Sequence, residues 1–282
     1  MQKRKMRIGV TAPASRIGPK LAEAVLAIAA AQFPSGAPEL VFHPQCHLSS
    51  GHFAGDDDAR ASAFLDIAND DTFDALWIAR GGYGSGRIAE RVLPALGQAA
   101  RKKIYLGYSD AGALLGAMYA DGFQNLVHGP MPSDLARESG EAAVRRALAF
   151  LVDADPAVVE PSVSSSQPIA AFNITILSHL LGTRFEPDLS GHVLMLEEVS
   201  EHMYAIDRAL LHITSSPNVR RVAGIKLGRC SAIPPNDPPF GHNEVDVAKH
   251  WCAVSGIPYL GRADIGHDID NRIVPLGYLP SR

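Results

Sequence analysis

Apolar, strand-length runs alternate with helix-length segments through the first 120 residues, and this alternation restricts the chain to a parallel sheet covered by helices. Met6–Thr11 reads as a buried strand that stops at Ala12-Pro13, and Pro19–Phe33 as an Ala-rich helix stopped by Pro34-Ser-Gly36. Leu40–His43 is a short strand and Asp56–Ile67 a helix with Ala63, Phe64 and Ile67 on one face. Asp74–Ala79 is a strand running into a glycine-rich turn, and Ile88–Leu96 is helical. Ile104–Gly107 is a strand and Ala111–Ala120 a helix.

The texture changes at 153–168, where DADPAVVEPSVSSSQP holds three prolines and four serines with little helical period. This stretch is expected to be a partly extended linker between a domain spanning 1–152 and a second, smaller α/β domain spanning 169–282. In the latter, Asn173–Leu181, Met203–Ile213 and Glu244–Val254 read as helices. His192–Leu196, Val222–Gly228, Ile257–Leu260 and Ile273–Pro275 read as strands, and Cys230–His242, with four prolines, as a loop. A length of 282 residues agrees with two domains.

Composition removes several classes of function. Hydrophobic residues make up 46% and charged residues 20%, which excludes disorder and coiled coil. The longest apolar runs fall far short of the ~20 residues of a membrane span, and the basic N-terminus lacks the apolar core of a signal peptide. The net charge is −4 with Lys and Arg scattered, so neither nucleic acid nor a membrane surface is expected as a partner. Cys46, Cys230 and Cys252 show no metal or disulfide spacing, which suits a reducing cytoplasm, and no cofactor or metal is expected.

Four segments could carry chemistry. In Ile104-Tyr-Leu-Gly107-Tyr108-Ser109-Asp110-Ala111, a strand meets a helix at a serine flanked two residues away by small Gly107 and Ala111. That spacing suits a nucleophile elbow, whose tight turn excludes larger neighbours; a plain N-cap serine on a crossover helix fits the same residues. In Arg80-Gly81-Gly82-Tyr83-Gly84-Ser85-Gly86, glycines after a strand permit close backbone approach to a ligand, without a Walker or dinucleotide ending. An oxyanion hole and a plain tight turn both fit. Glu197-Glu198 end an apolar strand, where a carboxylate can orient a histidine, although acidic residues at strand ends are commonly solvated turns. Of eleven histidines, His267, between Gly266 and polar loop residues, suits a general base; His128 before Gly129-Pro130 is its rival.

These pieces, in this order, resemble the LD-carboxypeptidase family of serine peptidases, also called muramoyltetrapeptide carboxypeptidases. The likeness runs through Ala12-Pro-Ala-Ser15, Ala54-Gly55-Asp56 with Arg60, Arg80-Gly-Gly-Tyr-Gly84 and Gly107-Tyr-Ser-Asp110. It continues through His128-Gly-Pro-Met131, Leu196-Glu-Glu-Val199, Tyr204-Ala-Ile-Asp-Arg208, and Gly266-His267 leading to Pro275-Leu-Gly277. The resemblance implies a Ser109 nucleophile, a His267 base, and Glu197 as the acid of the triad. It also implies an oxyanion hole of backbone N–H groups at Asp110 and Gly82, an active site in the cleft between the domains, and a homodimer. The implied substrate is a murein peptide that loses a terminal D-alanine. Arg80, Gly81 and Tyr83 are expected to bind it, with Arg80 or Arg87 meeting the terminal carboxylate unless Arg80 forms an ion pair under the glycine loop.

The chain departs from the family at Ala171-Phe172-Asn173-Ile174, where Gly-Gly-Asn-Leu is usual, so Phe172 is expected to reshape the floor of the cleft. Residues after His267 (Asp268-Ile-Asp-Asn271) and the proline-rich 234–242 loop differ too. Three other readings stand beside this one: a microcin-immunity-type hydrolase of aminoacyl-nucleotide conjugates, an α/β-hydrolase esterase, and a periplasmic-type binding protein. The esterase lacks its HGGG-type loop here, and the binding protein its signal peptide.

Overall fold

The computed structural model describes residues 5–279 and contains two sheets. In the first half, strands β1 (Arg7–Thr11), β2 (Glu39–Phe42), β3 (Ala75–Ile78), β4 (Ile104–Gly107) and β5 (Leu126–His128) alternate with helices α1 (Pro19–Gln32), α2 (Asp57–Asn69), α3 (Ser85–Val92) and α4 (Ala111–Ala120). A further helix, α5 (Glu141–Asp153), follows β5. The second half holds β6 (Ile169–Asn173), α6 (Ile174–Leu180), β7 (Val193–Val199), α7 (Met203–Ser215), β8 (Gly224–Ser231), α8 (Glu244–Ser255), β9 (Tyr259–Arg262) and β10 (Val274–Pro275).

The first sheet has the order β10-β5-β4-β3-β1-β2, parallel throughout except for β10, which runs antiparallel to β5. All residues of β3 and β4 are buried, as expected for parallel strands covered on both faces. The chain reverses its direction of travel across the sheet between β1 and β3. The crevice beyond the carboxyl ends of such strands is where open α/β sheets receive ligands. The segments leaving β1, β3 and β4 are Ala12–Ser15, Ala79–Gly84 and Tyr108–Asp110.

The second sheet is parallel, in the order β6-β7-β8-β9. The two halves share one apolar core. Phe172 and Leu180 lie against α4, where Cβ atoms built on Gly112 and Gly116 would stand 3.6 and 3.2 Å from the Phe172 ring. Phe172 is 1% exposed and serves as interdomain packing, so it does not form a cleft floor as the sequence suggested. Small residues on α4 make room for it.

One segment differs from the sequence expectations in placement. Val274–Pro275, at the end of the chain, returns to the edge of the first sheet beside β5. The proline- and serine-rich stretch 153–168 is tied down: Glu160 is buried and donates its N–H to the Ile273 carbonyl at 2.9 Å, while its carboxylate accepts from Ser162 N (2.7 Å) and Asp264 N (3.3 Å). Among the described residues no helix is long and apolar enough to cross a membrane.

Candidate active site

Ser109 sits on the turn between β4 and α4 with φ 60°, a left-handed conformation that a non-glycine residue rarely adopts. The tightness of this turn explains its small neighbours. A Cβ on Gly107 would lie 3.0 Å from Ile78 Cβ and 3.2 Å from Ala111 Cβ. The turn is closed by Gly112 N donating to Ser109 O at 2.8 Å, and α4 presents its N-terminus at the serine.

The glycine loop after β3 lies against this turn. A Cβ on Gly81 would stand 3.0 Å from both Cβ and Oγ of Ser109, so only glycine lets the backbone approach so closely. Gly82 has φ +106°, and a Cβ there would meet Ser15 Oγ at 2.4 Å. Ser15 N in turn donates to the Gly81 carbonyl at 3.3 Å. The Asp110 carboxylate, 3% exposed, accepts from Gly84 N (3.2 Å) and Ser85 N (2.9 Å), and the Ser85 hydroxyl donates to the Asp110 carbonyl. Asp110 thereby caps α3 and welds the glycine loop to the serine turn.

Arg60 supports the loop from below. It is 0% exposed, donates to the carbonyls of Pro13 and Gly84 (the latter at 2.7 Å), pairs with Asp57, and lies 4.6 Å over the Phe53 ring. The ion pair under the loop therefore belongs to Arg60 and not to Arg80. Arg80 is exposed and donates to the Arg16 carbonyl at 3.1 Å, while Arg87 pairs with Asp57 at 2.9 Å. Tyr83 is 57% exposed, with its ring 6.1 Å from Phe53 and 6.3 Å from His52.

Glu197 lies near the end of β7 and is 0% exposed. Between Leu196 and Glu198 the β7–β8 register shifts: β7 advances two residues while β8 advances from Leu227 to Cys230. The bulge at Gly228–Arg229 lies beside Glu197, and a Cβ on Gly228 would come within 3.0 Å of Glu197 Cβ. Bulges of this kind re-aim side chains next to sites. Glu197 Oε2 is hydrogen-bonded to His267 Nδ1. Adjacent strand residues face opposite ways, and Glu198 turns to the start of α6. There its carboxylate accepts from Asn173 Nδ2 (2.6 Å), Thr175 N (2.9 Å) and Thr175 Oγ1 (2.8 Å). The two carboxylates thus have separate partners.

His267 is 6% exposed, and its Nε2 is buried with no hydrogen-bond partner among the described residues. Burial opposes its charged form. The charge of Glu197 and its hydrogen bond outweigh that, with Asp134 and Glu198 adding to them, so the imidazole is held above its ordinary 6.5. Its ring lies 4.8 Å from that of Tyr108, the residue preceding Ser109, and the Tyr108 hydroxyl donates to Asp134 Oδ1 at 2.7 Å. The second sheet's carboxylate–imidazole pair thus meets the first sheet's serine turn through Tyr108. No hydrogen bond joins Ser109 to His267 in this conformation, since Nε2 has no partner. His128 is bonded elsewhere, to Asn271, and burial pushes it down to about 4.

Sequence reasoning missed Arg60 as the loop's support, Asp134 behind Tyr108, and Asn271. Arg60 and Asn271 stood within quoted segments without a role assigned to them; Asp134 carried no local signal. Among the described residues no group of three His, Cys, Asp or Glu side chains could hold a metal ion.

The LD-carboxypeptidase N-terminal domain matches residues 8–129 and the LD-carboxypeptidase C-terminal domain residues 168–279. A putative carboxypeptidase of Synechocystis is 32% identical over 248 residues, covering 85% of this chain and 79% of its own. The murein tetrapeptide carboxypeptidase of Pseudomonas aeruginosa is 29% identical over 225 residues, covering 72% and 70%. Among solved structures, the muramoyltetrapeptide carboxypeptidase of Oxalobacter formigenes has a TM-score of 0.80 at 22% identity, covering 96% of this chain and 93% of that one. A microcin C7 self-immunity protein in complex with aspartyl sulfamoyl adenosine has a TM-score of 0.77 at 17% identity, covering 96% and 91%. These structures share the fold. The matched domains, in order along most of the chain, make it a member of the LD-carboxypeptidase family of serine peptidases.

Proposed function

We propose that this chain releases the terminal D-alanine from murein tetrapeptides with Ser109 as nucleophile, His267 as general base and Glu197 as the acid that orients it. The observation that carries this reading is the buried Glu197–His267 pair, whose Nε2 has no other partner, set against the ring of the residue preceding a strained serine turn. Glu197 bonded to Nδ1 fixes the tautomer, leaving the Nε2 lone pair as the base. Ser109 Oγ attacks the carbonyl carbon of the scissile amide and its proton passes to Nε2. The negative oxygen is received by the N–H groups of Asp110 and Gly82, the latter on a loop that close glycine contacts hold against the serine. His267 then protonates the leaving amine, the C–N bond breaks, and a water activated by the same imidazole hydrolyses the ester.

Arg80 and Tyr83 are the exposed side chains at the loop, and with the Gly81 backbone they are the groups proposed to bind the peptide. Arg87 is committed to Asp57. Three tetrapeptides test the substrate side by side: one ending in D-Ala acid, one in L-Ala acid, one in D-Ala amide. Losing one charge-assisted hydrogen bond costs about 1.5–3 kcal/mol, which with a steric penalty predicts roughly 100-fold or greater preference for the D-Ala acid in kcat/KM. Equal turnover of all three would keep the serine chemistry and remove this substrate. Turnover of an aminoacyl-nucleotide conjugate in their place would favour the microcin-immunity-type reading.

A further inference from the structure

His128 was the rival base in the sequence, and the proposed reaction leaves it without a role. It ends β5 in the first sheet, is 2% exposed, and is paired in register with Val274 of β10. Its Nε2 lies 3.2 Å from Oδ1 of Asn271, 143 positions away on the loop between β9 and β10. Asn271 is 0% exposed, and the same Oδ1 accepts from Gly266 N at 3.2 Å. The residue whose N–H is bound this way immediately precedes His267. We propose that His128 and Asn271 form a latch between the two halves of the molecule that positions His267, making both of them positioning residues; the inference rests on the reading of His267 as base.

The hydrogen-bond pattern fixes the tautomer. Gly266 N–H can only donate, so the Asn271 atom it meets is the carbonyl oxygen, and His128 Nε2 must also donate to it. Burial keeps His128 neutral, with a value of about 4, so the proton sits on Nε2 and Nδ1 is bare. A nitrogen committed as donor to a buried amide is unavailable as the base for Ser109.

The latch acts on His267 from two directions. Through Asn271 it pins the backbone next to the imidazole. Through ring contact it acts on Tyr108: the His128 ring lies 5.5 Å from that of Tyr108, nearly edge-on, and Tyr108 lies 4.8 Å from His267. The rest of the loop is held nearer the surface. Arg146 donates to the carbonyls of Ile269 (2.5 Å) and Asn271 (3.2 Å), and Arg229 pairs with Asp264 and Asp268, both at 2.5 Å. The titratable groups facing His267 include Glu197, Asp134, Glu198, Tyr108 and His128; those facing His128 include Glu197, His267, Asp134 and Tyr108.

Two substitutions separate the hydrogen bond from the shape. His128→Gln keeps an N–H donor, whereas His128→Phe keeps a ring and loses the donor. In the full-length protein, kcat per site, counted by fluorophosphonate labelling, is measured together with KM and with the His267 titration midpoint followed by NMR of ¹³C-labelled histidine. A base displaced by about 1 Å can lose on the order of 100-fold in rate, so His128→Phe is expected to lower kcat about 10- to 100-fold with KM nearly unchanged. The His267 midpoint is expected to fall as its bond to Glu197 loosens. His128→Gln is expected to retain most of kcat and the original midpoint. Asn271→Ala should reproduce His128→Phe, and it carries the test if the phenylalanine variant does not fold. An unchanged midpoint in both His128→Phe and Asn271→Ala would overturn the latch, whatever happens to kcat. A glutamine variant as impaired as the phenylalanine one would overturn it too, because an imidazole itself would then be required. The midpoint is read without turnover, so failure of the latch stays distinct from failure of His267 as base, which kcat of His267→Ala, alone and combined with Ser109→Ala, decides: losses that multiply in the double variant would show that His267 does not serve Ser109.

Discussion

The two halves of the proposed site are built by different physics. The serine half is held by backbone: a left-handed Ser109, glycines at 81 and 82 that let two chain segments touch, and main-chain N–H groups gathered by the Asp110 carboxylate. The histidine half is held by charge: Glu197 on His267, and Arg229 bridging Asp264 and Asp268 on the same loop. No described non-glycine residue between 257 and 275 has a positive φ. Each half is therefore vulnerable to a different change. A methyl group should break the first, and a change in charge or proton occupancy the second.

The largest effect tests whether the halves work together at all. Ser109→Ala should fold normally and lose about 10⁴–10⁶ in kcat, the scale seen when a triad nucleophile is removed. Activity within tenfold of the wild type, measured on the D-Ala tetrapeptide, would separate the strained turn from the chemistry.

Glu197→Gln breaks the charged half without changing its shape. A glutamine can still accept from Nδ1–H but cannot stabilise the imidazolium, so kcat should fall by up to about 10⁴-fold. The pH profile carries the sharper information. His267 must be neutral to act as base, and its value is raised, so kcat/KM of the wild type should decline as pH falls through a midpoint above about 6.5. In Glu197→Gln that midpoint should move down. Linkage gives the matching sign for stability: the pair's contribution is fully present below the unfolded value near 6.5 and is lost as pH rises through the raised folded value. An unchanged acid limb would mean that Glu197 does not govern the base.

Gly82→Ala breaks the backbone half. The added Cβ would meet Ser15 Oγ at 2.4 Å, and φ +106° strains any L-residue, so the loop must shift. Loss of one oxyanion donor predicts a decrease of roughly 10²–10³ in kcat. In contrast to Glu197→Gln, the acid limb of kcat/KM should stay where it is, because no titrating group has moved. A shifted limb would show that the two halves are not physically separate.

The same division explains how much could be read beforehand. The serine half was legible because backbone constraints leave marks in sequence: Gly107 and Ala111 flank Ser109 since nothing larger fits, and Ile104–Gly107 and Ala111–Ala120 have the same bounds in the sequence reading and in the fold. The charged half was not legible from residues alone. Glu197 and Glu198 are neighbours of one type, and only strand alternation plus the β8 bulge sends one to His267 and the other to α6. Family resemblance, rather than spacing, singled out Glu197. Phe172 was misplaced because its partner, the small-residue face of α4, lies in the other domain. The sequence reading assigned no element to Glu141–Asp153, which forms α5, and it set Val274–Pro275 in the second domain. Pairing of the chain's end with β5 is non-local, and nothing in a two-residue strand announces it.

The smallest expected effect tests whether the serine turn is strained. A left-handed backbone costs an L-residue about 1–2 kcal/mol relative to glycine, and Ser109 stands at φ 60° between residues too closely packed to let it relax. Ser109→Ala keeps that cost; Ser109→Gly removes it but gives the unfolded chain more freedom, an offset of about 0.4–1 kcal/mol. The glycine variant should therefore be more stable than the alanine variant by roughly 0.5–1 kcal/mol, although neither has a nucleophile. Urea unfolding of the two, compared at equal slope, measures the difference directly. On the charged half no such gain is available, because its residues sit in ordinary backbone and their substitution only removes partners. A glycine variant no more stable than the alanine one would show that the turn holds Ser109 without strain, and the contrast between a backbone-built and a charge-built half would lose its first term.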